Sequence, residues 1–231
     1  MRVLVALLSS LFATVSVYAD SHNLAESDPN KAGLVHTLTM IADRLPEDKH
    51  DRALKLIDDF ADGRISSDYT YGWRRAQPFL QSGGVDALIA EARRPVGTLR
   101  YATTDALLAA GANYLETAPH DSERLNATLL DLARNADDFE RQIYAHASAE
   151  LAAIRCDETK LDHALSLVKH PDSLNYKFWK ARLANATASV ISAIDIERLR
   201  NDTRILHQAI DGYRIVDDFG PCQLKDAPIA D

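Results

Sequence analysis

An all-α fold follows from three features of this sequence. Apolar residues recur at helical spacing almost everywhere between residues 33 and 216. Proline, glycine and clusters of small polar residues interrupt that pattern at short intervals, and no stretch alternates with the period of two that a half-buried strand needs. The interruptions also fall rhythmically: helix, tight turn, helix, then the same again. The prediction is therefore a stack of antiparallel helical hairpins, about ten helices in all, with a long C-terminal helix as its cap.

Leu34, Leu38, Ile41 and Leu45 lie on one face of a first helix, which Pro46-Glu47-Asp48 stops. Ala53, Leu54, Ile57, Phe60 and Ala61 line a second, ended by Asp62-Gly63. A third carries Trp73, Ala76 and Leu80, and Pro78 inside it is expected to kink or shorten it. Gly83-Gly84 separates this helix from a fourth through Leu88, Ile89 and Ala92, closed by Pro95. Leu99, Ala102, Ala106, Ala109 and Ala110 predict an alanine-lined fifth helix running toward Leu115. Pro119 to Ser122 then resets the chain, with Ser122 the expected N-cap of a sixth helix through Leu125, Leu129, Leu132 and Ala136.

Phe139, Ile143, Ala147, Leu151 and Ile154 form the seventh face, followed by a turn at Asp157-Glu158. Leu161, Ala164, Leu165 and Val168 lead to a helix end at His170-Pro171, and Leu174, Phe178, Ala181, Ala188 and Ile191 supply a ninth helix. In the last helix Ile196, Leu199, Thr203, Leu206, Ile210 and Tyr213 advance by alternating steps of three and four, a short heptad seam. At this length the seam reads better as an end helix packed on its own domain than as a coiled-coil dimer, so a monomer is expected. Second helices begin near 51, 85, 122, 161 and 195, a period in the thirties; the competing arrangement is an ordinary helical bundle.

The N-terminus carries an address. Arg2 precedes an apolar run from Val3 to Val17, and Val17-Tyr18-Ala19 places small or β-branched residues where a signal peptidase reads. Residues 1–19 are thus predicted to be a secretory signal peptide, the run being too short for a comfortable membrane span. The expected organisation continues with a flexible polar leader over 20–32, the hairpin array over 33–216 and a C-terminal tail over 217–231. Export would leave the product periplasmic or secreted, with no membrane insertion after cleavage. Only two cysteines exist, Cys156 and Cys222. In an oxidising compartment they invite a disulfide; the other reading is two buried thiols.

Composition excludes some functions. The formal net charge is −8, and basic residues are scattered among acids without forming a block. Such a surface weighs against nucleic acid and anionic lipid as partners. No Gly-x-Ser-x-Gly elbow, phosphate-cradling glycine loop or His-Glu-x-x-His is present. His146 and Glu150 stand one helical turn apart and His163 and His170 two turns apart, but neither pairing completes a zinc-ligand set. Asp58-Asp59, Asp137-Asp138 and Asp217-Asp218 diverge on a helix rather than face one another. No cofactor, metal or catalytic residue is predicted.

The stretch from Ile143 to Ala184 resembles a degenerate tetratricopeptide-type unit. Ala152 and Ala164 match the small positions such families keep where their two helices cross, and Pro171 resembles the proline near the end of the second helix, although it sits early. The aromatic positions of that family do not match. The resemblance implies a scaffold that presents a surface to proteins or peptides, and it implies no enzyme. Two aromatic clusters are the candidates for that surface: Asp68 to Arg75, opening the third helix, and Asn175 to Lys180, opening the ninth. Trp73 and Trp179 are expected to pack between hairpins, leaving Tyr69, Tyr71, Arg74, Arg75, Tyr176 and Lys180 as the expected binding residues. The predicted function is an exported protein- or peptide-binding scaffold of the cell envelope. The alternative is a small-ligand binder or enzyme with a pocket between helices, for which Asn113, Asn185 and His207 are the polar residues to watch.

Overall fold

A computed structural model describes residues 28–67, 69–94, 100–195 and 203–222 of the chain. The expected signal peptide, the leader up to residue 27, Leu99, Ile196, Leu199 and the tail beyond Cys222 lie outside the described residues. Among the described residues there are ten α-helices and no strand. They are α1 (Pro29–Ala42), α2 (Glu47–Ala61), α3 (Thr70–Ala92), α4 (Arg100–Thr117), α5 (Pro119–Asn135), α6 (Asp138–Ile154), α7 (Glu158–Leu165), α8 (Leu174–Leu183), α9 (Thr187–Ser192) and α10 (Thr203–Phe219).

Side-chain caps explain several starts. Asp28 accepts from the Asn30 N–H at 2.9 Å, with Pro29 in the first turn, so α1 begins four residues inside the segment expected as leader. Asp137 caps α6 through the Phe139 and Glu140 N–H groups, and Asp157 caps α7 through that of Lys160. Ser122 does not cap α5, which already starts at Pro119. Its buried hydroxyl donates to the Gly111 carbonyl at 2.7 Å instead, tying α5 to α4.

Three helix boundaries differ from expectation. The third helix runs through Pro78 without leaving helical angles; the break falls at Gly83 and Gly84, where φ of Gly84 is +66°, a conformation open chiefly to glycine. The expected ninth helix divides into α8 and α9 at Asn185, whose φ of +51° ends α8. At the C-terminus α10 continues to Phe219, three residues into the expected tail.

Packing follows sequence in the middle of the chain. From α3 to α7 each helix lies against the next, and α4 also crosses α6. Alanines make this close: Ala106, Ala109, Ala110 and Ala112 of α4 and Ala145, Ala149, Ala152 and Ala153 of α6 are all buried. The ends behave otherwise. Helix α10 lies along α8, and α1 and α2 pack against α9 and α10 rather than against α3. Leu34, Leu38, Ile41, Ile57 and Phe60 thereby share a core with Phe178, Leu206, Ile210 and Tyr213. The described part of the heptad seam is consumed in this way: Leu206, Ile210 and Tyr213 are buried by the chain's own helices.

Polar fasteners hold this return. Cys156, just past α6, is bridged to Cys222, just past α10, with their Cα atoms 5.7 Å apart. Beside the bridge the buried Arg182 guanidinium donates to the carbonyls of Phe219 and Gly220 and to those of Ala153 and Ile154, and lies 3.2 Å from both sulfurs. No carboxylate pairs with it among the described residues. The converging carbonyl ends of α6 and α10 supply the negative charge it needs. Burial lowers its pKa to about 10, which leaves it protonated at neutral pH.

Candidate functional site

An open cleft of about 660 Å³ lies where the start of α3, α4, α6, α8 and α10 meet. Helix geometry accounts for its floor. Gln142, His146 and Glu150 are spaced by four, so all three project from one face of α6. Helix α3 and its approach contribute Tyr69, Tyr71 and Gly72; α4 contributes Thr104, Asp105 and Leu108; α8 contributes Tyr176 and α10 Arg214. Gly72 permits this convergence, because a Cβ there would lie 2.2 Å from the Asp105 carbonyl oxygen.

Glu150 is the polar centre, with only 4% of its side chain exposed. The Tyr69 hydroxyl donates to Oε1 at 2.7 Å, and Arg214 Nη2 donates to the same oxygen at 2.9 Å. Oε2 makes no hydrogen bond among the described residues and faces His146 Nε2 across 3.8 Å. The other imidazole nitrogen, Nδ1, is 3.0 Å from the Tyr176 hydroxyl. A Tyr176 O–H donating to Nδ1 leaves the ring proton on Nε2, toward the Glu150 carboxylate. The imidazole packs on the rings of Tyr176 and Trp179, with centroids 5.7 and 5.3 Å away. Arg214 also holds Asp211 at 2.9 Å, so one guanidinium serves two carboxylates.

Burial dominates the electrostatics. It pushes the Tyr176 phenol up to about 12, helped by the charges of Asp211 and Glu150. Tyr69 rises well above the ordinary tyrosine value, from burial first and then the adjacent Glu150 charge. Asp105 is raised by partial desolvation, against which the nearby Arg75 acts.

The structure brings together three of the six residues expected at a binding surface, Tyr69, Tyr71 and Tyr176, although two sequence-distant segments supply them. Tyr71 is 58% exposed, whereas Tyr69 and Tyr176 are walls seated in the packing. Arg75 sits at the rim with its guanidinium 4.5 Å from the centroid of the Tyr71 ring. Two expected residues are elsewhere: Arg74 is exposed outside the cleft, and Lys180 is paired with Asp162 at 2.7 Å. Spacing does not explain their loss, since Arg74 stands three residues from Tyr71 and Lys180 four from Tyr176, on the same side of each helix. Lys180 is held away by its ion pair with Asp162. The tryptophans pack inside: Trp179 is fully buried, and Trp73 meets Tyr114 edge to face at 5.9 Å.

Asn113, Asn185 and His207 do not line the cleft. Asn113 donates back to the Ala109 carbonyl of its own helix, Asn185 ends α8 in an exposed turn, and His207 is exposed on α10. Among the residues unforeseen as binding groups, Glu150 left a signal, a lone acid among buried alanines of α6. Asp105, Arg214 and Gln142 left none.

No family model, no curated protein and no solved structure matches this chain.

Proposed function

We propose that the chain is an exported helical-hairpin scaffold of the cell envelope that works as a monomer and holds a peptide or protein segment in the cleft between α3, α6 and α8. The observation that carries this reading is the convergence of Tyr69, Tyr71 and Tyr176 on one open cleft. Aromatic side chains of this kind supply large contact area at low entropic cost. The successive packing from α3 to α7 supports a stack of hairpins, onto whose far end the N-terminal pair folds back. The Cys156–Cys222 bridge suits an oxidising compartment such as the periplasm or the cell exterior. Burial of Leu206, Ile210 and Tyr213 inside the chain supports a single copy.

The polar groups of the cleft hold one another. Glu150 is engaged by Tyr69 and Arg214, and His146 lies between Tyr176 and Glu150, which suits recognition better than proton transfer. A cleft of this volume would also accommodate a small ligand. Its open rim, with Tyr71 standing in solvent, favours a segment that continues past the edge.

The test is retention of the chain from residue 20 onward on an array of short peptides. The wild type should retain a defined subset, Tyr71→Ala should lose roughly tenfold or more of it, and Tyr176→Phe should keep it, since the ring wall remains. Equal retention by wild type and Tyr71→Ala would remove the cleft from consideration.

A further inference from the structure

We infer that the cleft recognises a lysine or arginine side chain of the bound segment, its cationic head placed against the Asp105 carboxylate and the unbonded Oε2 of Glu150. This rests on the cleft being the binding site for a peptide segment, and it adds the chemistry of the residue that is bound.

The charges in the cleft are out of balance. Asp105 makes no hydrogen bond and no ion pair among the described residues. The nearest opposing charge is Arg75, which acts on it only through space and is itself spent on Tyr71, stacked over that ring and donating to its hydroxyl. Partial desolvation already disfavours the ionised Asp105, and an incoming cation would relieve that cost. Among the described residues the one arginine lining the cleft, Arg214, is divided between Glu150 inside it and Asp211 outside it, so it does not balance the two carboxylates of the lining. Glu150 has its second oxygen without a donor although the side chain is nine-tenths buried. That oxygen faces only His146 Nε2, 3.8 Å away, and stands at the cleft as an acceptor that an incoming N–H can reach.

The walls favour the same ligand. Tyr71 already holds one guanidinium, that of Arg75, over its ring, which shows that this exposed ring accepts a cation against its negative face. An anionic or C-terminal carboxylate group would meet Asp105 and Glu150 together and is disfavoured. The net charge of −8 steers cationic segments toward the protein at long range.

The probe is an array of hexapeptides in which one central position is in turn Lys, Arg, Gln or Glu, read with wild type, Asp105→Asn and Tyr71→Ala, each checked for an unchanged circular dichroism melt. The Lys and Arg versions should be retained at least tenfold better than their Gln and Glu counterparts. Asp105→Asn should remove most of that preference, read as the ratio of Lys-version to Gln-version retention. Retention of the Lys version should also fall on acidification before the pH reaches the ordinary aspartate value, because Asp105 takes up its proton early. If Lys and Gln versions are held alike and both are lost with Tyr71→Ala, the cation preference is overturned while the scaffold reading stands. If no peptide is retained, both fall. Competition by free lysine amide as effective as by the Lys hexapeptide would overturn the assignment of the cation to a peptide.

Discussion

Between α3 and α7 every helix lies against its successor, whereas α1 and α2 lie against a helix from the far end of the chain. Lys31 and Asp217, paired at 2.7 Å, are 186 residues apart. The two regions meet different physical demands. In the middle, short connections bring the next apolar face within reach, and packing of alanine and leucine completes the contact. At the ends a long loop must close first, and its entropy cost has to be offset by contacts made all at once. The fasteners are found there: the disulfide, Arg182, Lys31 with Asp217, and the Tyr213 hydroxyl on Asp28. The cleft sits on the seam between the two regions, with Asp105 and Glu150 from the sequential part and Arg214 from the returning helix.

The strongest way to break the contrast is to open the bridge. Replacing Cys156 and Cys222 by serine should cost about 4 kcal/mol for a separation of 66 residues on the loop-entropy account. Urea unfolding measures the loss, and hydrogen exchange locates it: amides of α1, α2 and α10 should lose protection well before those of α4 to α6. Simultaneous loss in both regions would show that they form one cooperative unit.

Alkali gives the next effect. An unfolded tyrosine ionises near pH 10, while folded Tyr176 keeps its proton to about 12. The unfolded state therefore loses protons first, so stability is intact below pH 10 and falls as pH rises toward 12, by about 2–3 kcal/mol from this residue alone. Tyr69 and Tyr213 are shifted the same way and add to the slope. Tyr176→Phe should flatten it in urea titrations at pH 9.5 and 11; an unchanged slope would place the alkaline sensitivity elsewhere.

Two glycines give the finest comparison. A Cβ on Gly212 would stand 2.6 Å from the Asn175 Cα, where α10 crosses α8. Gly212→Ala should destabilise by about 1–3 kcal/mol, concentrated at the chain ends. Gly33 in α1 has open space around it, so Gly33→Ala should stabilise by about 0.5–1 kcal/mol. Thermal melts of the pair would show whether the ends are limited by close approach or by helix propensity.

Much of the helical framework could be read from the chain because its signals are local. Leu34, Leu38 and Ile41 announce a helix face by spacing alone, and Gly83-Gly84 marks a break at which Gly84, with φ of +66°, takes a conformation open chiefly to glycine. Pro78, by contrast, looked like a helix breaker and is not one, because packing around α3 outweighs a single missing donor. Ser122 had the residue type of a cap but is used as a link to α4. Tyr69, Tyr71 and Tyr176 were legible as surface candidates through their rarity and their basic neighbours. Nothing local could say that they would face one another.

By itself the sequence determined the helices, most of their breaks and the amphipathic faces that must be covered, since periodicity and turn chemistry act within a few residues. Only the tertiary structure decided which faces meet. The return of α10 along α8, and the docking of α1 and α2 upon it, depend on contacts across nearly the whole chain. That return places Arg214 beside Glu150 and so sets the charge of the cleft. A carboxylate such as Glu150 reads as one more solvated acid until Tyr69 and Arg214, both distant in sequence, have closed over it.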